Sequence, residues 1–312
     1  MHKILIVGGG GFIGKNLANY LVLNNYDVTI FGNVKETDLK FLNNEIRIVN
    51  VKIQIDDYLI HEISSATVII WLAHSLVPGV SVDDELDYVT NILPVIKAFE
   101  INKQKSIPAR FIYISTGGAI YGNVSTCLPI KEDLPVSPIS QYGISKKKIE
   151  EDLKHLSLNS KIECIVLRPS NVYGRLQNMS KPQGIIGFAI KSILLNTSLV
   201  LYNEGKQIRD FLHINDFCEA VMCVIAKDYL LNNYEVFNVS SGQPVSIIDI
   251  IKKLEQLAGK YLKLDFLPAR QVDTDYAVLD NGKFSSTFSW KCKVELNDGL
   301  EDLLRYYKAE LS

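Results

Sequence analysis

Short apolar runs bounded by turn residues recur through the first half of the chain, at Ile4–Val7, Val28–Phe31, Ile46–Val51, Val68–Leu72, Phe111–Ser115 and Cys164–Leu167. Between them lie stretches with helical spacing: Phe12–Asn24, a short one near Asp57–Ile63, Asp83–Asn102 and Tyr142–Leu158. Apolar strands that alternate with helices predict a parallel sheet covered on both faces, an α/β fold of the doubly wound type. After Arg168-Pro169 the rhythm changes to mixed segments punctuated by Pro182, Pro244 and Pro268, which predicts a smaller lobe. Amphipathic stretches at His213–Lys227 and Ile247–Gly259 flank a strand-like Glu235–Val239, so part of the second half is expected to return to the large sheet. The expected division is therefore 1–170 plus about 213–256 for the larger domain, and about 171–212 plus 257–312 for the lobe. The most apolar later stretch, Ile185–Leu195, is broken by Lys191 and too short to span a bilayer.

At 312 residues and 47% hydrophobic, the chain can bury the core of one large domain or two interleaved ones. A net charge of −2, with no block of like charge, argues against nucleic-acid and membrane partners. The densest basic run, Lys146-Lys147-Lys148, reads as a solvated helix face around one functional lysine. Cysteines at 127, 164, 218, 223 and 292 are odd in number and form no C-x-x-C pair, and the five histidines are scattered. Neither a disulfide framework nor a metal site is indicated, and a reducing cytoplasm is the expected location. The N-terminus runs straight into a strand and then glycines, which is no secretory signal.

Two local motifs carry the chemistry. Ile4–Val7 runs into Gly8-Gly9-Gly10-Gly11-Phe12-Ile13-Gly14, which places Gly8, Gly11 and Gly14 as G-x-x-G-x-x-G between a strand and a helix. Glycines there let the backbone turn tightly and approach a pyrophosphate, whose charge the N-terminus of the next helix stabilises. Phe12 and Ile13 open that helix beside the expected dinucleotide. Downstream, Tyr142 and Lys146 are four residues apart and share one helix face. In isolation such a pair is a common helix-surface feature, but behind a dinucleotide turn it is a candidate redox centre. A phenol titrates near ~10, and an adjacent ammonium together with a cationic nicotinamide pulls that value toward neutrality, which makes Tyr142 a proton-transfer group.

These motifs together resemble the extended short-chain dehydrogenase/reductase family, in its nucleotide-sugar epimerase and dehydratase branch. The resemblance runs through nearly the whole chain. Phe111–Gly122 is similar to the family's strand ending in a catalytic Ser or Thr, and Leu167–Gly174 to its segment leading into the substrate lobe. Arg209–Asp216, Phe237-Asn238-Val239 and Arg270-Gln271-Val272-Asp273 follow as later landmarks in the same order. The resemblance implies a Rossmann-type sheet with a smaller α/β substrate-binding lobe. It also implies Ala73 and Asn91 lining the cofactor cleft, and a nucleotide-diphosphate sugar as substrate. Asn171, Arg209 and Arg270 then stand at the diphosphate, where an arginine fork suits phosphate oxygens. Asp273 is placed to accept from the nucleoside ribose and Tyr202 to stack on the base, plain packing being the alternative for Tyr202. A homodimer is implied through the helices Asp83–Asn102 and Tyr142–Leu158, where Val89, Ile92, Val95, Ile96 and Phe99 form an apolar stripe. The alternative is that this stripe covers the chain's own sheet.

Three departures from the family pattern bear on function. The second strand ends in Gly32, followed by Asn33 and Lys35, where NAD-dependent members carry an Asp for the adenosine ribose, and Lys52 stands where an Asp meets the adenine. Losing two acids removes repulsion against a 2′-phosphate, so both NAD and NADP remain open, Asn33 being an alternative ribose partner. The usual slot of the catalytic hydroxyl holds Gly117, which leaves Thr116 or Ser115 to supply it. Gly117-Gly118-Ala119 also replaces the acid pair that a 4,6-dehydratase carries after its Thr. Two C4 reactions survive: 4-epimerisation of a UDP-hexose or UDP-N-acetylhexosamine on retained NAD, the favoured reading, and NADPH-dependent reduction of a 4-keto-6-deoxy sugar nucleotide. A catalytically weak NAD(P)-binding sensor or scaffold is the remaining alternative.

Overall fold

The computed structural model describes residues 2–77, 80, 82–124, 129–158, 160–177, 184–230, 232–270 and 273–311. Cys127, Pro182, Gln271 and Val272 lie outside the described residues. The chain gathers into two compact units: Met1–Thr116 with Ser140–Arg168 and Cys218–Phe237, and Gly117–Ile139 with Pro169–Phe217 and Asn238–Ser312.

The first unit is built on a seven-stranded sheet. Strands β1 (Lys3–Val7), β2 (Asp27–Phe31), β3 (Arg47–Val49), β4 (Val68–Trp71), β5 (Arg110–Ile114) and β6 (Cys164–Pro169) are joined by Tyr234–Val239. Across the sheet the order is Tyr234–Val239, β6, β5, β4, β1, β2, β3. Neighbours within β1–β6 pair in parallel, in register Val7↔Phe31, Val7↔Trp71, Trp71↔Tyr113 and Ile114↔Leu167. That register aligns the C-terminal ends of these strands. The chain leaves β1 for β2 and β3 on one side, then crosses to β4 on the other, and such a switch point is where open α/β sheets place their ligands.

Burial on both faces explains the continuous apolar runs: every residue of β4 is buried, as are Ile4–Val7 of β1. One side of the sheet packs against Leu59, Ile63, Ile92, Val95, Phe99, Ile149 and Leu153. Phe99 meets Phe111 edge-on at 5.3 Å between ring centroids, and Trp71 stacks on Phe111 at 6.4 Å. The apolar stripe expected at a dimer contact is thus mostly spent on the protein's own sheet. Ile92, Val95 and Phe99 are core residues, Ile96 is half-buried, and Val89 alone of the five is exposed. The single helix expected over Asp83–Asn102 is a helical turn at Asp84–Asp87, a π-helical turn at Tyr88–Ile92 and a helix at Leu93–Lys103. Pro94, at the start of the last segment, has no N–H to give to the preceding turn, which favours the wider hydrogen-bond spacing there.

The second unit is made of small paired strands and three packed helices. Asn171–Tyr173 pairs with Phe211–His213, and Leu264–Leu267 with Leu199–Tyr202, both in parallel. Ile208–Arg209 lies between Val245–Ser246 and Tyr276–Ala277. The helices Ile185–Leu195, Ile247–Ala258 and Leu296–Leu311 share a core of Ile186, Ile190, Ile250, Leu254, Leu300 and Leu303. Enclosure by this core accounts for the unusually apolar Ile185–Leu195. The unit boundaries differ from the sequence division over 117–139, 169–170, 213–217 and 238–256. Ile247–Ala258 belongs to this three-helix core, and Gly117–Ile139 joins the second unit through an Ile130↔Leu279 bridge and a Tyr121 hydroxyl that donates to Asn238 at 2.8 Å.

Candidate active site

The glycine turn follows β1 at the switch point. Gly8 has φ +85°, and a β-carbon there would stand 2.6 Å from the Ala73 nitrogen; one on Gly14 would stand 2.4 Å from the Gly9 α-carbon. The turn is therefore closed to side chains where it meets β4 and its own helix. Gly11 is the exception, its β-carbon position meeting only the Gly8 carbonyl at 3.6 Å. Gly11 also caps the helix Phe12–Leu23, which has no side-chain cap and no acid in its first turn. An exposed glycine before an uncapped helix start presents peptide N–H groups and a positive dipole end to an anion. The turn fits the pyrophosphate of a dinucleotide, with Gly8, Gly11, Phe12, Ile13 and Gly14 as its frame and Ala73 packed against it.

At the tip of β2, where an acid is expected for the ribose, the backbone takes a conformation that favours glycine. Gly32 has φ +129°, and a β-carbon there would meet the Ile53 δ-carbon at 3.1 Å. Asn33, Lys35 and Lys52 are exposed, and the Asn50 side chain locks the Val34 peptide, its oxygen accepting from the Val34 N–H and its amide donating to the Val34 carbonyl, both at 2.9 Å.

Tyr142 and Lys146 lie on the helix Gln141–Ser157, whose N-cap Ser140 accepts from the Gly143 N–H at 3.2 Å. The Lys146 ammonium donates to the Ile114 carbonyl at 2.9 Å, and sits 4.8 Å from the Tyr113 ring centroid and 5.8 Å from that of Tyr142. The Thr116 side chain lies near enough to Tyr142 to favour its phenolate. Ser115 lies buried next to it, its hydroxyl without a partner among the described residues. Of the two hydroxyls, the structure brings Thr116 to the phenol.

The protein's own groups do not acidify that phenol. Burial pushes Tyr142 up to about 12, opposed by the Thr116 hydrogen bond, and burial brings Lys146 down to about 7, opposed by the Glu150 carboxylate. The expected pull toward neutrality joined the ammonium to a nicotinamide cation; in the protein alone burial is the larger cause and the phenol stays high.

Asn91, expected in the cofactor cleft, is almost wholly buried and acts as a brace. Its carbonyl accepts from the Ser75 N–H and hydroxyl at 2.7 and 3.0 Å, and its amide donates to Asp87 at 2.7 Å. Asp87 in turn accepts from the Ser145 hydroxyl at 3.3 Å. The brace anchors the loop after β4 to the helix that carries Tyr142. On that loop His74 meets the Tyr142 ring edge-on at 5.2 Å between centroids. Burial and the Lys146 charge drive its pKa down to about 2, so the imidazole is neutral. Both of its nitrogens are buried without a partner among the described residues. Sequence reasoning missed His74; the available signal was a histidine directly after Ala73, at the strand end where the other candidates converge.

In the second unit Tyr202, Arg209, Arg270 and Asp273 come together. Arg270 forks onto Asp273 with two hydrogen bonds of 2.8 Å and lays its guanidinium 4.2 Å over the Tyr202 ring. The face expected to stack on a base is thus covered by Arg270. Arg209 donates to the Ile208 and Thr274 carbonyls at 2.9 and 2.7 Å. Its pKa is lowered by burial and by the Arg270 charge, with Asp273 and Asp275 opposing. Asn171 stands apart, its amide donating to the Asp210 carbonyl at 3.0 Å and its own carbonyl facing Gly118. Among the described residues no cluster of His, Cys, Asp and Glu could hold a metal ion, and no helix is long and apolar enough to cross a membrane.

Comparisons with known proteins converge with this geometry. The family model for the NAD dependent epimerase/dehydratase family matches residues 4–240. A putative UDP-glucose 4-epimerase of Methanocaldococcus jannaschii is 30% identical over 309 residues, 98% of each chain. A dTDP-4-dehydro-6-deoxyglucose reductase of Escherichia coli is 26% identical over 97% of each chain. Among solved structures, the UDP-glucuronic acid 4-epimerase of Bacillus cereus, in complex with UDP-glucuronic acid and NAD, superposes with a TM-score of 0.89 at 27% identity over 99% of this chain and 100% of that one.

Proposed function

Because the chain belongs to the NAD dependent epimerase/dehydratase family, and is an enzyme that uses NAD or NADP on nucleotide sugars, we propose that it is a nucleotide-sugar 4-epimerase acting by transient oxidation at C4. The observation that carries this reading is Lys146, held by the Ile114 carbonyl at 2.9 Å and 5.8 Å from the Tyr142 ring, with Thr116 beside the phenol and Gly117-Gly118-Ala119 following in place of carboxylates. The cofactor, when bound, supplies the hydride acceptor and a positive charge. Tyr142 in its phenolate form takes the proton from the sugar 4-hydroxyl, and Thr116 fixes that oxygen. Lys146, held by the Ile114 carbonyl, stabilises the phenolate electrostatically. The 4-keto sugar would present its other face to the bound cofactor, and Tyr142 would return the proton to the 4-oxygen. No further acid or base is required, in keeping with the glycines after Thr116. In the second unit Arg209 and Arg270 are assigned to the diphosphate and Asp273 to the ribose, with Asn171 as a further contact.

A second reading, an NADPH-dependent 4-ketoreductase, draws support from glycine in place of an acid at position 32 and from the Escherichia coli reductase among the relatives. Incubation with UDP-galactose or UDP-N-acetylgalactosamine without added cofactor tests the choice. Formation of the C4 epimer supports the epimerase, whereas NADPH oxidation by a 4-keto-6-deoxy sugar nucleotide, with no epimer from either UDP-sugar, would overturn it.

We further propose a homodimer through the outer faces of the Asp84–Lys103 and Gln141–Ser157 segments, where Leu86, Tyr88, Val89 and Ile144 are exposed. Light scattering at micromolar concentration is expected to return twice the chain mass, and a monomer mass removes the dimer.

A further inference from the structure

In dinucleotide-binding folds the adenosine ribose is read beyond the second strand, by an acid that accepts from its hydroxyls or by a cation that takes a 2′-phosphate. Here the strand runs into Gly32, which carries no side chain and whose φ of +129° disfavours one. The glycine turn nevertheless packs directly on the segment that follows. Gly8 N–H donates to the Phe31 carbonyl at 2.8 Å, and a β-carbon on Gly10 would stand 2.1 Å from the Asn33 carbonyl.

Two charges are held in place on the elements that continue from that contact, Lys15 on the helix after the glycine turn and Asp38 on the turn after Asn33. Lys15, one residue past the last glycine of the motif, pairs with Asp38 at 2.9 Å, and their side chains are 8% and 22% exposed. Asp38 rides on the turn Glu36–Phe41, which Asn19 ties to the Lys15 helix: its amide donates to the Phe41 carbonyl at 2.7 Å and its carbonyl accepts from the Asn43 N–H at 2.8 Å. The Lys15 ammonium also lies 5.9 Å from the Phe41 ring centroid. By contrast Lys35 and Lys40 are exposed, where solvent and salt screen them.

We propose that the Lys15–Asp38 ion pair, in place of a residue at the strand tip, sets the choice between NAD and NADP, an inference that rests on the dinucleotide-binding reading of the glycine turn. The pair combines both ways of reading the ribose, an acid and a base, and its own net charge is zero. Removing either member leaves the other unbalanced in a poorly solvated position, where its field reaches a 2′-phosphate with little screening.

The test is the ratio of dissociation constants for NADPH and NADH, from fluorescence titration of the reduced dinucleotides. Lys15→Gln is expected to raise that ratio by about tenfold, since the freed carboxylate repels the phosphate, and Asp38→Asn to lower it by about tenfold. The double variant returns to within about threefold of wild type, and Lys15→Arg, which keeps the pair, leaves the ratio unchanged. Taking a ratio cancels any general loss of binding, and thermal melting confirms that each variant is folded; should Lys15→Gln not fold, Asp38→Asn and Lys15→Arg carry the test. Both single variants within about threefold of wild type, or both shifted in the same direction, would overturn the proposal while leaving the dinucleotide site intact. A wild-type protein that binds neither dinucleotide would instead remove the reading on which it rests.

Discussion

The first unit holds its candidate chemistry ready, whereas the second keeps its own occupied. In the first, the glycine turn presents N–H groups without a side-chain cap, and a buried Lys146, held by the Ile114 carbonyl, stands beside a half-buried Tyr142 and Thr116. In the second, Arg270 is forked onto Asp273 and covers Tyr202, while Arg209 is spent on two backbone carbonyls. The difference follows from chemistry. A peptide turn can be left unpaired at a helix start at modest cost, but a guanidinium beside apolar surface must find an acceptor within the chain until a ligand supplies one. Pre-formed groups act through geometry, and pre-paired groups act by exchanging partners.

Substitutions can break this contrast, beginning with the largest expected effect. Tyr142→Phe is expected to lower turnover by about two to four orders of magnitude with sugar-nucleotide binding retained, the span of a positioned acid–base group. Near-normal turnover in steady-state assays would remove Tyr142 from the mechanism. Thr116→Val is expected to cost about 10- to 100-fold in turnover, the scale of one hydrogen bond to a charged oxygen, while Ser115→Ala costs less than about threefold. The opposite order would assign the hydroxyl to Ser115.

In the second unit the signature should differ. Arg270→Ala is expected to weaken sugar-nucleotide binding by about tenfold with turnover little changed, because the pairing lost to Asp273 offsets part of the gain from phosphate. Calorimetric titration measures it, and a loss confined to turnover would make Arg270 part of the chemistry.

The smallest effect concerns stability. With its pKa brought down to about 7, Lys146 binds fewer protons folded than unfolded from about pH 7 to the normal lysine range near ~10.4. Its charge therefore opposes folding most strongly below pH 7, and the penalty fades as pH rises. The melting temperature of Lys146→Met relative to wild type should accordingly be highest near pH 6 and decline by several degrees toward pH 10. A difference that stays flat across this range would show that Lys146 titrates normally.

Much of the first unit was legible because its signals are local. Strand and helix alternate within a few residues of their observed limits, the glycine turn needs only seven consecutive positions, and Tyr142 and Lys146 share a helix face by spacing alone. Local spacing did not show which side of a helix is used up by the sheet, and so the stripe at Ile92, Val95 and Phe99 was as compatible with a partner as with the core. Nor did it show the π-helical turn before Pro94, whose hydrogen bonds are set by where the flanking segments are anchored.

What the sequence determined by itself was the class of fold, the dinucleotide turn and the pairing of a phenol with an ammonium, because each rests on periodicity or on neighbours along the chain. Tertiary structure alone decided that burial sets the resting acidity of Tyr142 and Lys146, that His74 packs edge-on against the Tyr142 ring, and that Lys15 pairs with Asp38. These properties depend on desolvation and on contacts between distant segments, which exist only once the strands have brought their ends together.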